Sequence, residues 1–397
     1  MSPSSVRDRI EDLLAEPVVA ASARERQTFP ALLQATDGSV VLFGAGRLGQ
    51  LCARALRRGG LTLRAFCDRN PKLHGERIEG TEVISPEEAA RRFGASALFV
   101  VSIWTGTARE SMMERMDFLR GLGCRFVTNY AALVWAHGRE ETPFHSFDLP
   151  ARVLGSAPAL RDLARLLTDQ TSLLTLQAAL RQRLRGEFDD RRPVADQYFP
   201  VDIFTLRTDE VFVDGGAFTG DTLDGFLART GSRFLEYHAF EPDRTNAAQL
   251  RRHIAGLPAS VRQRISVHAV ALHSRNESLD FAEEGRPTSK SVPGGGGSVP
   301  GRALDDVIPG RRITFIKLDV EGAERDALLG ARSVISRCRP LAAVCVYHGP
   351  RDLWEIPSML RELLPEHRFF LRQHQFDGYE LVVYAVPPER CAKQSER

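Results

Sequence analysis

The sequence predicts an α/β protein made of two doubly wound, Rossmann-like domains joined by a helical connector. Three observations carry this. At 397 residues the chain exceeds the size of one hydrophobic core. Strand and helix patterns alternate at βαβ spacing in two separate stretches. Each stretch opens with an apolar strand that runs into a glycine-rich turn, at residues 44–49 and 214–220.

Residues 1–35 read as a lead-in containing a short amphipathic helix. The first domain, 36–150, begins with the strand "SVVLFGAG" and the helix "RLGQLCARALRRG", which Gly59 and Gly60 close. "TLRAFCD", "ALFVVSI" and "RFVTNY" are further strands, separated by the helices "SPEEAARRF" and "GTARESMMERMDFLRGLG". Ser85 is the expected N-cap of the former, with Pro86 in the first turn, where a missing N–H costs nothing. From 151 to 205 the strands stop and helical periodicity takes over, giving the connector.

The second domain, 206–388, supplies seven strand candidates: "EVFVDGG", "YHAFEPD", "ISVHAVAL", "TFIKLDV", "LAAVCVYH", "RFFLRQH" and "ELVVYAV". The last two are joined by "QFDGYE", a hairpin-like turn. Five parallel strands followed by a hairpin fit the seven-stranded class I methyltransferase layout. Residues 285–301 hold four consecutive glycines and read either as an active-site flap or as a surface loop. Residues 389–397 form a tail.

Composition excludes several classes. Hydrophobic residues at 43% and charged residues at 26% are ordinary for a globular chain. A net charge of +2 with scattered arginines argues against a nucleic-acid partner. The six cysteines lack metal-ligand spacing, and several sit in apolar runs, as buried thiols do in a reducing compartment. No stretch reaches the roughly 18 apolar residues of a membrane span, and the N-terminus has no signal-peptide core. A cytoplasmic protein is expected.

The chemistry gathers at strand ends of the second domain. "VFVDGGAFTGDT" sets Asp214, Gly216 and Gly220 in a D-x-G-x-x-x-G turn after an apolar strand. A pyrophosphate would be repelled by Asp214, whereas S-adenosylmethionine, with a sulfonium and an α-ammonium, would not. The next strand ends at Glu241, 241 − 214 = 27 positions on, where a carboxylate can accept from two ribose hydroxyls. Val270, within "HAVAL", would pass near the adenine. "FIKLDVEGAERDALLGA" clusters Asp319, Glu321 and Glu324 where the chain leaves the sheet. Glu324 suits either a helix cap or the site. Asp319 could bind the donor's amino-acid end, orient the acceptor or hold a divalent ion, and no metal site is assigned. Lys317 is a second candidate on the opposite strand face. His348, ending the fifth strand, could remove the acceptor's proton or be structural; Tyr347 and Asp352 are weaker candidates.

Together "FVDGGAFTGDT", "FEPD", "LDD" with "FIKLDVEGAE", and "LLGA" resemble the FkbM-type methyltransferase family over roughly 196–386. "ADQYFP" and "YHGPRDLWEIP" resemble a two-domain branch with an N-terminal nucleotide-binding-like domain. The resemblance implies S-adenosylmethionine as donor and a hydroxyl acceptor on a sugar, nucleotide-sugar or secondary metabolite. It puts donor binding on Asp214, Gly216, Gly220 and Glu241, with Asp319 at the site, and leaves the base unassigned.

In the first domain Gly44, Gly46 and Gly49 form G-x-G-x-x-G between a strand and a helix, with Asp68 closing the next strand. The domain is short for a full dinucleotide site and lacks a Tyr-x-x-x-Lys pair. It is expected to bind a nucleotide or nucleotide-sugar, or to serve structure, including pairing two copies into a homodimer. Two other functions stay open: an NAD(P)-linked oxidoreductase, and a non-catalytic nucleotide-binding protein acting through this domain.

Overall fold

The computed structural model describes residues 3–106, 109–281 and 297–392. Most of the glycine-rich stretch therefore lies outside the described residues. The chain forms two compact units. The first comprises Met1–Ala164, Leu173–Pro193 and Gln375–Tyr379, and the second Arg165–Ser172, Val194–His374 and Glu380–Arg397.

In the first unit, helices Pro3–Leu14 and Val18–Gln34 precede a six-stranded sheet. Its strands are β1 (Ser39–Phe43), β2 (Thr62–Cys67), β3 (Arg77–Ile78), β4 (Thr81–Ile84), β5 (Leu98–Val101) and β6 (Phe126–Asn129), in the order β3-β4-β2-β1-β5-β6. All pairings are parallel except β3 with β4. Central β1 is buried at all five positions, as a strand covered on both faces must be. Ser85 caps the helix Pro86–Phe93 through the Glu88 N–H, at 3.1 Å. The helix Met112–Gly121 starts later than its sequence pattern suggests, because Ser111 and Glu114 close a reciprocal capping box there. Arg115 and Asp377 form a buried ion pair at 3.1 Å, and the Met112 N–H donates to the same carboxylate.

The second unit contains the seven strands that the sequence predicts, in one sheet. They are β7 (Val211–Gly215), β8 (Glu236–Phe240), β9 (Ile265–His268), β13 (Phe315–Leu318), β14 (Leu341–Cys345), β15 (Arg368–Gln373) and β16 (Leu381–Val386), ordered β15-β16-β14-β13-β7-β8-β9. Only the pairings of β16 are antiparallel. "ISVHAVAL" breaks after His268, and β10 (Ala271–Leu272) joins β11 (Glu277–Phe281) and β12 (Gly297–Arg302) in a small separate sheet. Aromatic rings fill the core. Phe212 and Phe315 stack with centroids 4.5 Å apart, and Phe199, Phe226 and Tyr237 pack around them. Buried Arg372 is balanced by Asp169 at 2.5 Å and Asp202 at 2.7 Å.

This topology sets β7, β8, β13 and β14 side by side with their C-terminal ends on one edge. Ligands of open α/β sheets bind along that edge.

Candidate active site

The turn after β7 is shaped by the protein's own backbone. Gly216 adopts φ +77°, and a Cβ there would lie 1.8 Å from the Asp319 carbonyl oxygen. Gly220 adopts φ +109° at the start of the helix Asp221–Thr230, with the His253 ring 3.0 Å from where a Cβ would stand. Close packing thus accounts for both glycines.

Asp214 does not present a free carboxylate to this turn. It is fully buried, paired to Lys317 Nζ at 3.0 Å, and it accepts from the Tyr237 hydroxyl at 2.5 Å. Burial pushes its carboxyl up against the opposing pull of Lys317 and Tyr237. Lys317 also donates to the carbonyls of Gly215 and Gly216, at 3.1 and 2.7 Å. The pair arises from register, since Lys317 of β13 lies beside Asp214 of β7. It pins the turn to the neighbouring strand.

Glu241, ending β8, is 6% exposed. One oxygen accepts from the Phe218 N–H and the other from the Asp243 N–H, both at 2.9 Å. Burial raises its carboxyl to about 7, with the two amides and the Asn246 side chain opposing. Val270 lies half-buried in the bend between β9 and β10.

The ends of β13 and β14 carry the densest group of titratable side chains. Asp319 accepts from the Tyr198 hydroxyl at 2.6 Å and lies 3.5 Å from His348 Nε2. Burial opposes its charge, but Lys317 and His348 overcome that and hold its carboxyl below the usual range. Glu324 Oε1 accepts from the Val320 N–H at 2.9 Å and contacts His348 Nδ1 at 2.9 Å. It is therefore both the cap of its turn and the group that orients the imidazole. Glu321, in a left-handed conformation at φ +54°, lies 3.7 Å from His348 Nε2. Burial would depress the His348 pKa, yet Glu324, Asp319 and Glu321 together push it to about 10. The ring is an imidazolium at neutral pH.

The structure brings in residues to which the sequence reading gives no role at the site. Tyr198, within "ADQYFP", and Glu380, at the end of "QFDGYE", both adopt positive φ. Gln197 Nε2 bridges them, donating to the Tyr198 hydroxyl at 2.9 Å and to Glu380 at 2.5 Å. Tyr347 donates to the other Glu380 oxygen at 3.1 Å. Burial, reinforced by Asp319, raises Glu380 to about 7. Burial, opposed by His348, does the same to Glu321. Asp352 instead receives the Gly349 N–H at 2.5 Å in the following turn.

In the first unit, Gly44 adopts φ +112°, and a Cβ on Gly49 would stand 2.0 Å from the Gly44 carbonyl oxygen. Asp68 accepts from the Ala45 N–H at 2.9 Å and the Asn70 N–H at 2.8 Å. Gly46 is exposed, and a Cβ there would meet nothing within 4 Å.

Residues 214–377 match the family described as the methyltransferase FkbM domain. This chain carries an FkbM methyltransferase domain. A solved methyltransferase FkbM from Methylobacillus flagellatus KT shares its fold, with a TM-score of 0.78 over 97% of this chain and 100% of that chain, at 24% identity. The methyltransferase domain of bacterial CtHen1 superposes only loosely (14% identity, 47% of this chain and 91% of that one, TM-score 0.27). The same holds for RSP, a Rex-family repressor (24% identity, 26% and 48%, TM-score 0.21). No curated protein matches the chain. The strand ends described above, Asp214, Glu241, Asp319 and His348, all fall inside the FkbM domain. Among the described residues no helix is long and apolar enough to cross a membrane.

Proposed function

We propose that the FkbM domain transfers a methyl group from S-adenosylmethionine to a hydroxyl oxygen of a small polar acceptor: a sugar, nucleotide-sugar or secondary metabolite. The observation that carries this reading is Glu241. A buried carboxylate ends the second strand of the sheet, the place where an acid in an open α/β fold meets the paired hydroxyls of a ribose. The excess of carboxylates at the neighbouring strand ends suits the donor's positive end. Asp214 contributes little there, because Lys317 already balances it.

When bound, the donor supplies a methyl carbon made electrophilic by its sulfonium. The residues of this chain then have three tasks. Glu241 fixes the ribose, and Val270 offers an apolar flank to the base. Asp319, held by Tyr198, stays ionised and orients the donor's cationic end or the acceptor hydroxyl. The proton leaving the hydroxyl goes to a carboxylate whose pKa lies near the working pH, as general-base catalysis favours. Glu321 and Glu380 meet that condition. His348, already protonated, holds Glu324 and Asp319 in place. Alignment and exclusion of water supply the rest.

Titration calorimetry with S-adenosylmethionine and with NAD(H), on wild-type protein and Glu241→Gln, tests the donor assignment. The expected result is S-adenosylmethionine binding weakened about ten- to a hundredfold by the substitution, equivalent to roughly 1.4–2.8 kcal/mol. Binding of NAD(H) alone would overturn the reading. It would move the function to the first unit.

A further inference from the structure

The site contains three donor groups that the proposed chemistry leaves incompletely satisfied. Asp319 Oδ1, Glu324 Oε2 and His348 Nε2 are buried and make no hydrogen bond. The side chains of His348 and Glu324 are 4% and 1% exposed, so water does not satisfy these atoms from bulk solvent. One donor atom from each of the three residues lies within 4.8 Å of the others. Nothing apolar demands two carboxylates and an imidazole at this point. Asp319 Oδ1 faces His348 Nε2 at 3.5 Å, an ion-pair contact without a hydrogen bond, and leaving buried polar atoms so incompletely satisfied is costly.

We propose that Asp319, Glu324 and His348 form a binding site for one divalent cation of the Mg2+ or Mn2+ type. Two hard carboxylate oxygens suit such an ion, with one imidazole completing the set. The ion takes the place of the imidazolium proton on coordination. The support around it fits as well. Glu324 Oε1 is anchored by the Val320 N–H, and Asp319 Oδ2 by the Tyr198 hydroxyl, so each carboxylate is oriented through one oxygen while the other stays available. A cation here would attract an acceptor hydroxyl and make it more acidic. That use rests on the methyltransfer reading. The cation site itself rests only on the side chains.

The test is Mn2+ binding to the full chain after chelator treatment, followed by electron paramagnetic resonance without any methyl donor. Saturable binding of a single ion is expected, weakened at least tenfold in His348→Asn and in Asp319→Asn. Circular dichroism verifies that each variant is folded. If a variant does not fold, electron spin-echo modulation of the wild-type Mn2+ complex decides, because a coordinated imidazole nitrogen gives its own signal. Absence of saturable binding by the wild-type chain overturns the proposal. So does undiminished binding in both folded variants, or a bound ion without a nitrogen ligand. S-adenosylmethionine calorimetry on the metal-free protein separates these outcomes from failure of the donor assignment.

Discussion

The two glycine-rich turns use one device and differ in what surrounds it. In the first unit Asp68 ties the turn to its own strand end by accepting from the Ala45 and Asn70 amides. In the second, Glu241 does the same with the Phe218 and Asp243 amides. The difference lies one strand further on. After β5 of the first unit come Ser102, Ile103 and Trp104, with no ionisable group, and the Ile103 side chain would stand 2.4 Å from a Cβ on Gly44. After β13 of the second come Asp319, Glu321 and Glu324, facing His348. A glycine turn and an acid make a frame for a nucleotide. Chemistry needs the groups that the adjoining strand ends supply.

Gly216→Ala should separate the two turns most strongly. Its Cβ would fall 1.8 Å from a backbone oxygen of Asp319, and its φ of +77° already disfavours a side chain. The turn or the Asp319 backbone must move, so methyl transfer from a labelled donor should fall at least a hundredfold, since a shift of about 1 Å can cost that much. Activity near the wild-type level would mean that the turn is not part of the site.

Lys317→Met comes next. It leaves Asp214 buried without its cation, which should cost about 3–5 kcal/mol in urea unfolding. The double variant Lys317→Met/Asp214→Asn should recover most of that loss. No recovery would show that Lys317 matters through its bonds to the Gly215 and Gly216 carbonyls, and not through the ion pair.

This pair also marks the limit of what the sequence makes legible. All seven strands of the second sheet follow from apolar runs bounded by turn residues, and Glu241 follows from its place at a strand end. Alternation along a single strand puts Lys317 on the face away from its neighbours, which is true but incomplete. Its partner is the register neighbour Asp214 on β7, 103 positions earlier (317 − 214), and that becomes visible only once the sheet order is known. Tyr198 and Glu380 are harder still. Both sit in left-handed turn conformations, Tyr198 within "ADQYFP" and Glu380 at the start of "ELVVYAV", and no local rule points either at Asp319. The start of the helix Met112–Gly121 is obscured for a different reason: the polar residues ahead of it are compatible with a helix, and only the Ser111–Glu114 capping box fixes its first turn.

Acid tests the second unit more gently. Burial lowers His374 in the second unit to about 4, against the opposing Val194 carbonyl, and burial also lowers His268 to about 4. A histidine depressed in the folded state contributes stability that is complete above its ordinary value near 6.5. That contribution is lost as pH falls toward 4. Between pH 7 and pH 4.5 the two should together remove a few kcal/mol, on the order of 1–2 each once the partial exposure of His268 to screening water is discounted. In His374→Gln, hydrogen-exchange protection of β15 and β16 should fall less steeply over that interval. An unchanged slope would place the acid sensitivity elsewhere.

The mildest substitution is the most direct test of the first unit. Gly46 precedes the helix Arg47–Arg58 with φ −73°, an ordinary backbone for any residue, and a Cβ there would meet nothing within 4 Å. Gly46→Ala therefore has no steric reason to disturb the fold. As a helix N-cap, alanine is worse than glycine by under about 1 kcal/mol, and thermal unfolding should show no more than that. Gly216→Ala damages the protein's own packing, whereas Gly46→Ala adds a methyl only where an outside molecule would come close. If the first unit binds a nucleotide across this turn, its affinity should drop at least tenfold in calorimetry while methyl transfer by the second unit persists. If no nucleotide binds the wild-type chain, and the variant differs from it only by the small capping cost, the first turn is a structural copy of the frame and the chemistry belongs to the second unit alone.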